Sequence, residues 1–66
     1  MAAAATFPYV PTRALKTFGD SGPKYEVGRP LRQLADGDWM AEIQLIETGE
    51  RAEYRLSHIL ADPVAR

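Results

Sequence analysis

The chain holds no cysteine, one histidine, one tryptophan and two serines in 66 residues, with a formal net charge of −1. Without cysteine there are no disulfides, no thiolate nucleophile and no zinc–thiolate site. Small secreted domains usually carry disulfide staples, so a cytoplasmic home is the expectation. No run approaches the roughly 18 apolar residues needed to cross a membrane. The residues before Pro8 and Pro11 lack the basic flank and apolar stretch of a secretory leader, so none is expected. The pattern G-x-x-x-x-G-K-[ST] is absent, which excludes a P-loop. A lone His58 beside Ser21 and Ser57, read as a turn residue and a helix cap, assembles no catalytic triad. The expectation is a non-enzymatic chain with no cofactor and no metal.

What is present is a thin supply of core. Ten of the thirty hydrophobic residues are alanine, four of them in the run Ala2 to Ala5. A chain of this length forms one small domain that buries only about 60% of its unfolded surface. Charge is split along it: residues 1–34 carry five basic and two acidic side chains, residues 35–66 three and seven. The simplest reading sets Arg13, Lys16, Arg29 and Arg32 beside Asp36, Asp38 and Glu42 in the folded state.

Residues 1–12 combine the alanine run with two prolines and no repeating pattern, and are expected to form a disordered tail ahead of a single β-domain over 13–66. Phe7, Tyr9 and Val10 are its apolar anchors. Residues 13–18 read as strand or helix, with strand preferred. Gly19-Asp20-Ser21-Gly22-Pro23 is the densest turn signal, and Lys24 to Val27 alternates polar and apolar as a hairpin partner should. Gly28 and Pro30 end or kink that strand. Leu31 and Leu34 continue the apolar surface, and the Asp36-Gly37 turn leads into the clearest pattern.

There Trp39, Ala41, Ile43 and Leu45 fall on one face and Met40, Glu42, Gln44 and Ile46 on the other. Residues 50–56 alternate likewise, with Ala52, Tyr54 and Leu56 against Arg51, Glu53 and Arg55. A two-residue Thr48-Gly49 loop pairs Leu45 with Ala52 and Glu42 with Arg55. A four-residue loop with Gly49 at positive φ competes with it. Ser57 is expected to cap one helical turn over His58 to Asp62, with Ile59 and Leu60 facing the sheet and Pro63 ending it. The fold class is mainly β: a small antiparallel SH3-like barrel or curled sheet of four to five strands with one short C-terminal helical turn.

From Phe18 to Pro63 the segments Phe18-Gly19, Gly22-Pro23-x-Tyr25-Glu26-Val27, Asp36-Gly37-Asp38-Trp39, Glu47-Thr48-Gly49-Glu50 and Tyr54-Arg55-Leu56-Ser57-x-Ile59-Leu60-x-Asp62-Pro63 stand in order. This stretch resembles a family of short uncharacterised bacterial proteins, a domain of unknown function. The motifs are turn and core elements, so the resemblance implies a shared fold and assigns no catalytic or binding residue.

Asp36, Asp38 and Glu42 lack calcium-loop spacing. Gly19 to Gly22 matches G-x-x-G without the flanking helices of a nucleic-acid clamp. The informative surface is the second face of the hairpin, where Met40 and Ile46 sit among charges. Either another segment covers them, or Met40, Ile46, Arg51 and Arg55 contact a protein partner or a second copy of the chain. Strand addition at an edge is a further route. The alternative is a nucleic-acid-binding barrel that uses Arg13, Lys16, Lys24, Arg29 and Arg32, with Tyr25 or Phe18 stacking on bases.

Overall fold

A computed structural model describes residues 8–65. Its elements are β1 (Leu15–Thr17), β2 (Lys24–Gln33), β3 (Trp39–Leu45), β4 (Arg51–Arg55) and α1 (Leu56–Ala61). The four strands form one antiparallel sheet in the order β1-β2-β3-β4. The sheet is open, so the curled-sheet form of the expected fold is the one adopted and the closed barrel is not. Residues 1–7, where most of the expected tail falls, lie outside the described residues. Of its remainder, Val10 packs against the core and Tyr9 is exposed.

Period-two burial follows the apolar pattern. Tyr25 and Val27 of β2 and Ala41 and Ile43 of β3 are buried, and Leu56 and Ile59 of α1 close over them. Each fully buried aliphatic side chain contributes about 1.5–3 kcal/mol relative to exposure. Phe18, Trp39 and Tyr54 rim this cluster. Phe18 lies 4.5 Å from Tyr25 and 5.1 Å from Tyr54 between ring centroids, and the Tyr25–Tyr54 contact is edge-on at 5.7 Å.

Of the two outcomes expected at Gly28 and Pro30, the kink is the one found: they do not end β2. The strand runs on to Gln33 and absorbs them as register shifts between Val27 and Pro30 and between Pro30 and Arg32. Proline is tolerated where a bulge has already removed a ladder bond. A Cβ on Gly28 would stand 2.8 Å from the Glu42 carbonyl oxygen, so only glycine permits this approach of β2 to β3.

The β3–β4 hairpin keeps the expected faces but not the two-residue-loop pairing. Ala41 pairs with Tyr54, Ile43 with Ala52, and Glu42 with Glu53 instead of Arg55. The loop is the four-residue alternative: the Leu45 N–H donates to the Glu50 carbonyl at 2.8 Å, and Gly49 takes φ +76°. Positive φ suits glycine, whereas threonine at that position would be strained. A shift of two residues preserves which side chains face the core, which is why the pattern alone does not detect it.

Helix α1 follows β4 with no intervening loop. Ser57 does not cap it. The N-cap is Arg55 without a side-chain bond, and Asp38, the residue before β3, supplies the missing acceptor. Its Oδ1 accepts from the Ser57 N–H at 3.2 Å and its Oδ2 from the Ser57 hydroxyl at 2.7 Å. Leu60 is half exposed, so Leu56 takes the core position expected of it. Pro63 disfavours helical backbone at Asp62, which is extended at ψ 146°.

The C-terminal segment then returns to β1. Val64 bridges Lys16, the Thr17 N–H donates to the Pro63 carbonyl at 3.1 Å, and the Ala65 N–H to the Leu15 carbonyl at 2.8 Å. One edge of the sheet is thereby covered, while β4 forms the other edge.

Candidate functional site

The core face of the sheet is taken by α1, and the opposite face carries the chemistry. Strand register lines up Arg32, Met40 and Arg55 across β2, β3 and β4. Met40 is half-buried between the two arginines. The Arg32 guanidinium donates to Glu53 at 2.8 Å, and Arg55 donates to Asp36 at 2.7 Å and to Asp38 at 3.4 Å. These bonds raise both arginines above their ordinary range, with Glu53 and Asp36 as the leading causes. Asp38 is lowered to about 2, chiefly by the Ser57 hydroxyl and next by the Trp39 N–H. Asp36 is lowered first by Arg55 and then by the Asp38 N–H.

Further along the same face an open groove of about 470 Å³ is bounded by Arg13, Glu26, Glu42, Gln44 and Arg51. Arg51 stands opposite Gln44 and is exposed. Ile46 belongs to the β3–β4 loop and is half exposed beside Pro23 and Lys24 at the far end of the sheet. Of the four residues expected to form a protein contact, Met40 and Arg55 are therefore neighbours, Arg51 borders the adjoining groove, and Ile46 is set apart from them.

The five residues of the nucleic-acid alternative are scattered. Arg13 borders the groove, Arg32 is engaged by Glu53, and Lys24 and Arg29 are exposed on β2. Lys16 is buried at 7% exposure, with its Nζ donating to the Asp62 carbonyl at 2.9 Å. Phe18 and Tyr25, the candidate stacking rings, pack in the core cluster instead.

That burial exposes a constellation the residue pattern does not show. Asp62 Oδ2 accepts from the Tyr25 hydroxyl at 2.6 Å, and its Oδ1 accepts from the Gly19 N–H at 3.2 Å. Burial raises the Tyr25 phenol, and the Asp62 carboxylate adds to the shift. Tyr54 is raised by the same two causes in the same order. His58 lies against Tyr54 at 5.4 Å between ring centroids. The partners are 37 to 46 residues apart in the chain, too far for spacing to reveal. Asp62 acts as a latch between the first hairpin and the helix.

Among the described residues no three His, Asp or Glu side chains are placed to hold a metal ion. None of the described helices is long and apolar enough to cross a membrane.

Comparison with known proteins agrees with the resemblance read from the motifs. An uncharacterised protein of Haemophilus influenzae is 46% identical over 56 residues, covering 85% of this chain and 89% of that protein. A family of unknown function, DUF5397, matches residues 3–66, nearly the whole chain. The match takes in every strand, the helix and the Asp62 latch, and the chain belongs to the DUF5397 family.

Proposed function

We propose that this domain is a non-catalytic interaction module that binds a protein partner through the face of the sheet opposite α1. The observation that carries this reading is Met40, an apolar centre set between Arg32 and Arg55, whose guanidiniums are held by Glu53 and by Asp36 and Asp38. Protein interfaces favour an apolar centre rich in Met and Arg within a polar rim. Arginines already fixed by intramolecular bonds lose less side-chain freedom on binding. Arg51 and the groove beside it extend the contact, and Ile46 lies beyond its end. A cysteine-free chain accords with a cytoplasmic setting.

The nucleic-acid alternative draws less support, because burial of Lys16 and engagement of Arg32 leave no continuous basic stripe. The test is capture from lysate of the source organism on immobilised domain, with and without nuclease, for the native chain and for Met40→Glu. The proposal expects proteins retained despite nuclease and lost by Met40→Glu while its circular dichroism stays native. Retention that nuclease abolishes, or retention unaltered by Met40→Glu, contradicts it.

A further inference from the structure

The edge of β4 points to a more specific partner. Because the Leu45 N–H donates to the Glu50 carbonyl, strand alternation turns the backbone groups of Ala52 and Tyr54 toward β3. The N–H and C=O of Arg51 and Glu53 therefore face away from the sheet. Arg51, Ala52 and Glu53 are all exposed along this edge.

An open edge is a template for another strand, and proteins commonly guard it with charge. Here the charge is not of one sign. Within β4 the shorter segment Arg51-Ala52-Glu53 is self-complementary in an antiparallel pair. We infer that two copies of this chain associate through β4, with Ala52 opposite the partner's Ala52, Arg51 opposite the partner's Glu53, and Glu53 opposite the partner's Arg51.

Three observations select this register. Antiparallel hydrogen bonding requires the outward-facing residues to pair with one another, which Arg51 and the partner's Glu53 satisfy. Centring the pair on Glu53 would set Glu53 against itself and Arg51 against the partner's Arg55, opposing like charges. Centring it on Tyr54 would run Ala52 and Arg51 against Leu56 and Ser57, which are helical and present no strand. The pair centred on Ala52 sets opposite charges facing over Arg51 to Glu53 and runs Tyr54 and Arg55 against the partner's loop residues Glu50 and Gly49, where no helix stands in the way. The small Ala52 side chain permits close approach at the axis. The Arg51 side chain forms no ion pair among the described residues, whereas Arg55 is held by Asp36 and Asp38. Glu53 can accept from the partner's Arg51 while it keeps Arg32, since a carboxylate offers two oxygens. The product is an eight-stranded antiparallel sheet. Because the contact is one short strand, the dimer forms at high concentration and dissociates on dilution.

This inference rests on the interaction-module reading for its class of function but uses the strand edge, where Met40 has no part. The test is sedimentation equilibrium of the full chain, of Arg51→Glu, of Glu53→Arg, and of an equimolar mixture of the two variants. The native chain is expected to rise with concentration from 7.3 kDa toward twice that mass. Each variant alone sets like charges across the axis and is expected to bind itself about tenfold more weakly or worse. The mixture restores opposite charges at both positions and is expected to regain the native mass, an outcome that unfolded variants do not give. A native chain that stays monomeric, variants that self-associate like it, or a mixture that fails to recover would each overturn the inference. Met40→Glu separates the two proposals: dimerisation should survive it. A monomeric native chain whose protein capture is lost in Met40→Glu removes the second copy and leaves the face reading intact.

Discussion

At the β1 edge the chain closes on its own C-terminal segment, with Thr17 bonded to Pro63, Ala65 bonded to Leu15, and Lys16, Tyr25 and Gly19 gathered on Asp62. At the β4 edge it ends in solvent, held by ion pairs of exposed side chains. Hydrogen bonds to buried groups are expensive to break because the abandoned partner stays desolvated, whereas exposed ion pairs are exchanged for water at little loss. Residues that matter for stability should therefore gather at the closed edge. The open edge should tolerate substitution with little loss of stability.

The largest effect should come where the closed side meets the core. Ile59→Ala removes a fully buried side chain that seats α1 and should cost about 2–5 kcal/mol, read as a lower urea midpoint. Tyr25→Phe keeps the ring and removes the bond to Asp62, for an expected loss of about 1.5–3 kcal/mol. Arg51→Ala at the open edge should stay within about 0.5 kcal/mol of the native chain. A loss at Arg51 comparable to that at Tyr25 would break the comparison.

The pH dependence sharpens it. Tyr25 is held neutral in the folded state, so its contribution is complete below the unfolded phenol value of about 10 and fades as pH rises beyond it. Asp38 is held ionised, so its contribution is complete above about 4 and is lost as pH falls toward 2. Urea midpoints across pH should therefore drop on both limbs. Tyr25→Phe should shrink the alkaline limb alone, leaving the share of Tyr54, and Asp38→Asn the acid limb alone, leaving the share of Asp36; crossed effects would mean that the two regions are not independent.

Much of the sheet was legible in the sequence because period-two alternation reports directly on burial. Ala41, Ile43, Tyr25 and Val27 were placed inward by pattern and are buried. Loop length was less legible: a loop of two or of four residues leaves the same side chains facing the core, so the pairing of Glu42 rested on a turn preference. Gly28 and Pro30 leave a strand end and a kink both open in the sequence, and it is β3, by accepting the bulge, that decides for the kink.

The remaining differences have a common cause. The cap on α1 comes from Asp38, 19 residues away, so a serine at the helix start was the only local candidate. Lys16 alternates like any exposed strand lysine, and only the returning Asp62 carbonyl makes its burial tolerable. The outward face of β4 was legible as Arg51, Glu53 and Arg55. Its position at the open edge was not, because strand order depends on contacts between segments.

Amide hydrogen exchange across a dilution series compares the two edges in one measurement. The Thr17 and Ala65 amides should be protected at every concentration. Those of Arg51 and Glu53 should exchange freely at high dilution and gain protection as concentration rises. Protection of Arg51 and Glu53 at high dilution, or free exchange of Thr17 alongside them, would contradict the division of this sheet into a closed and an open edge.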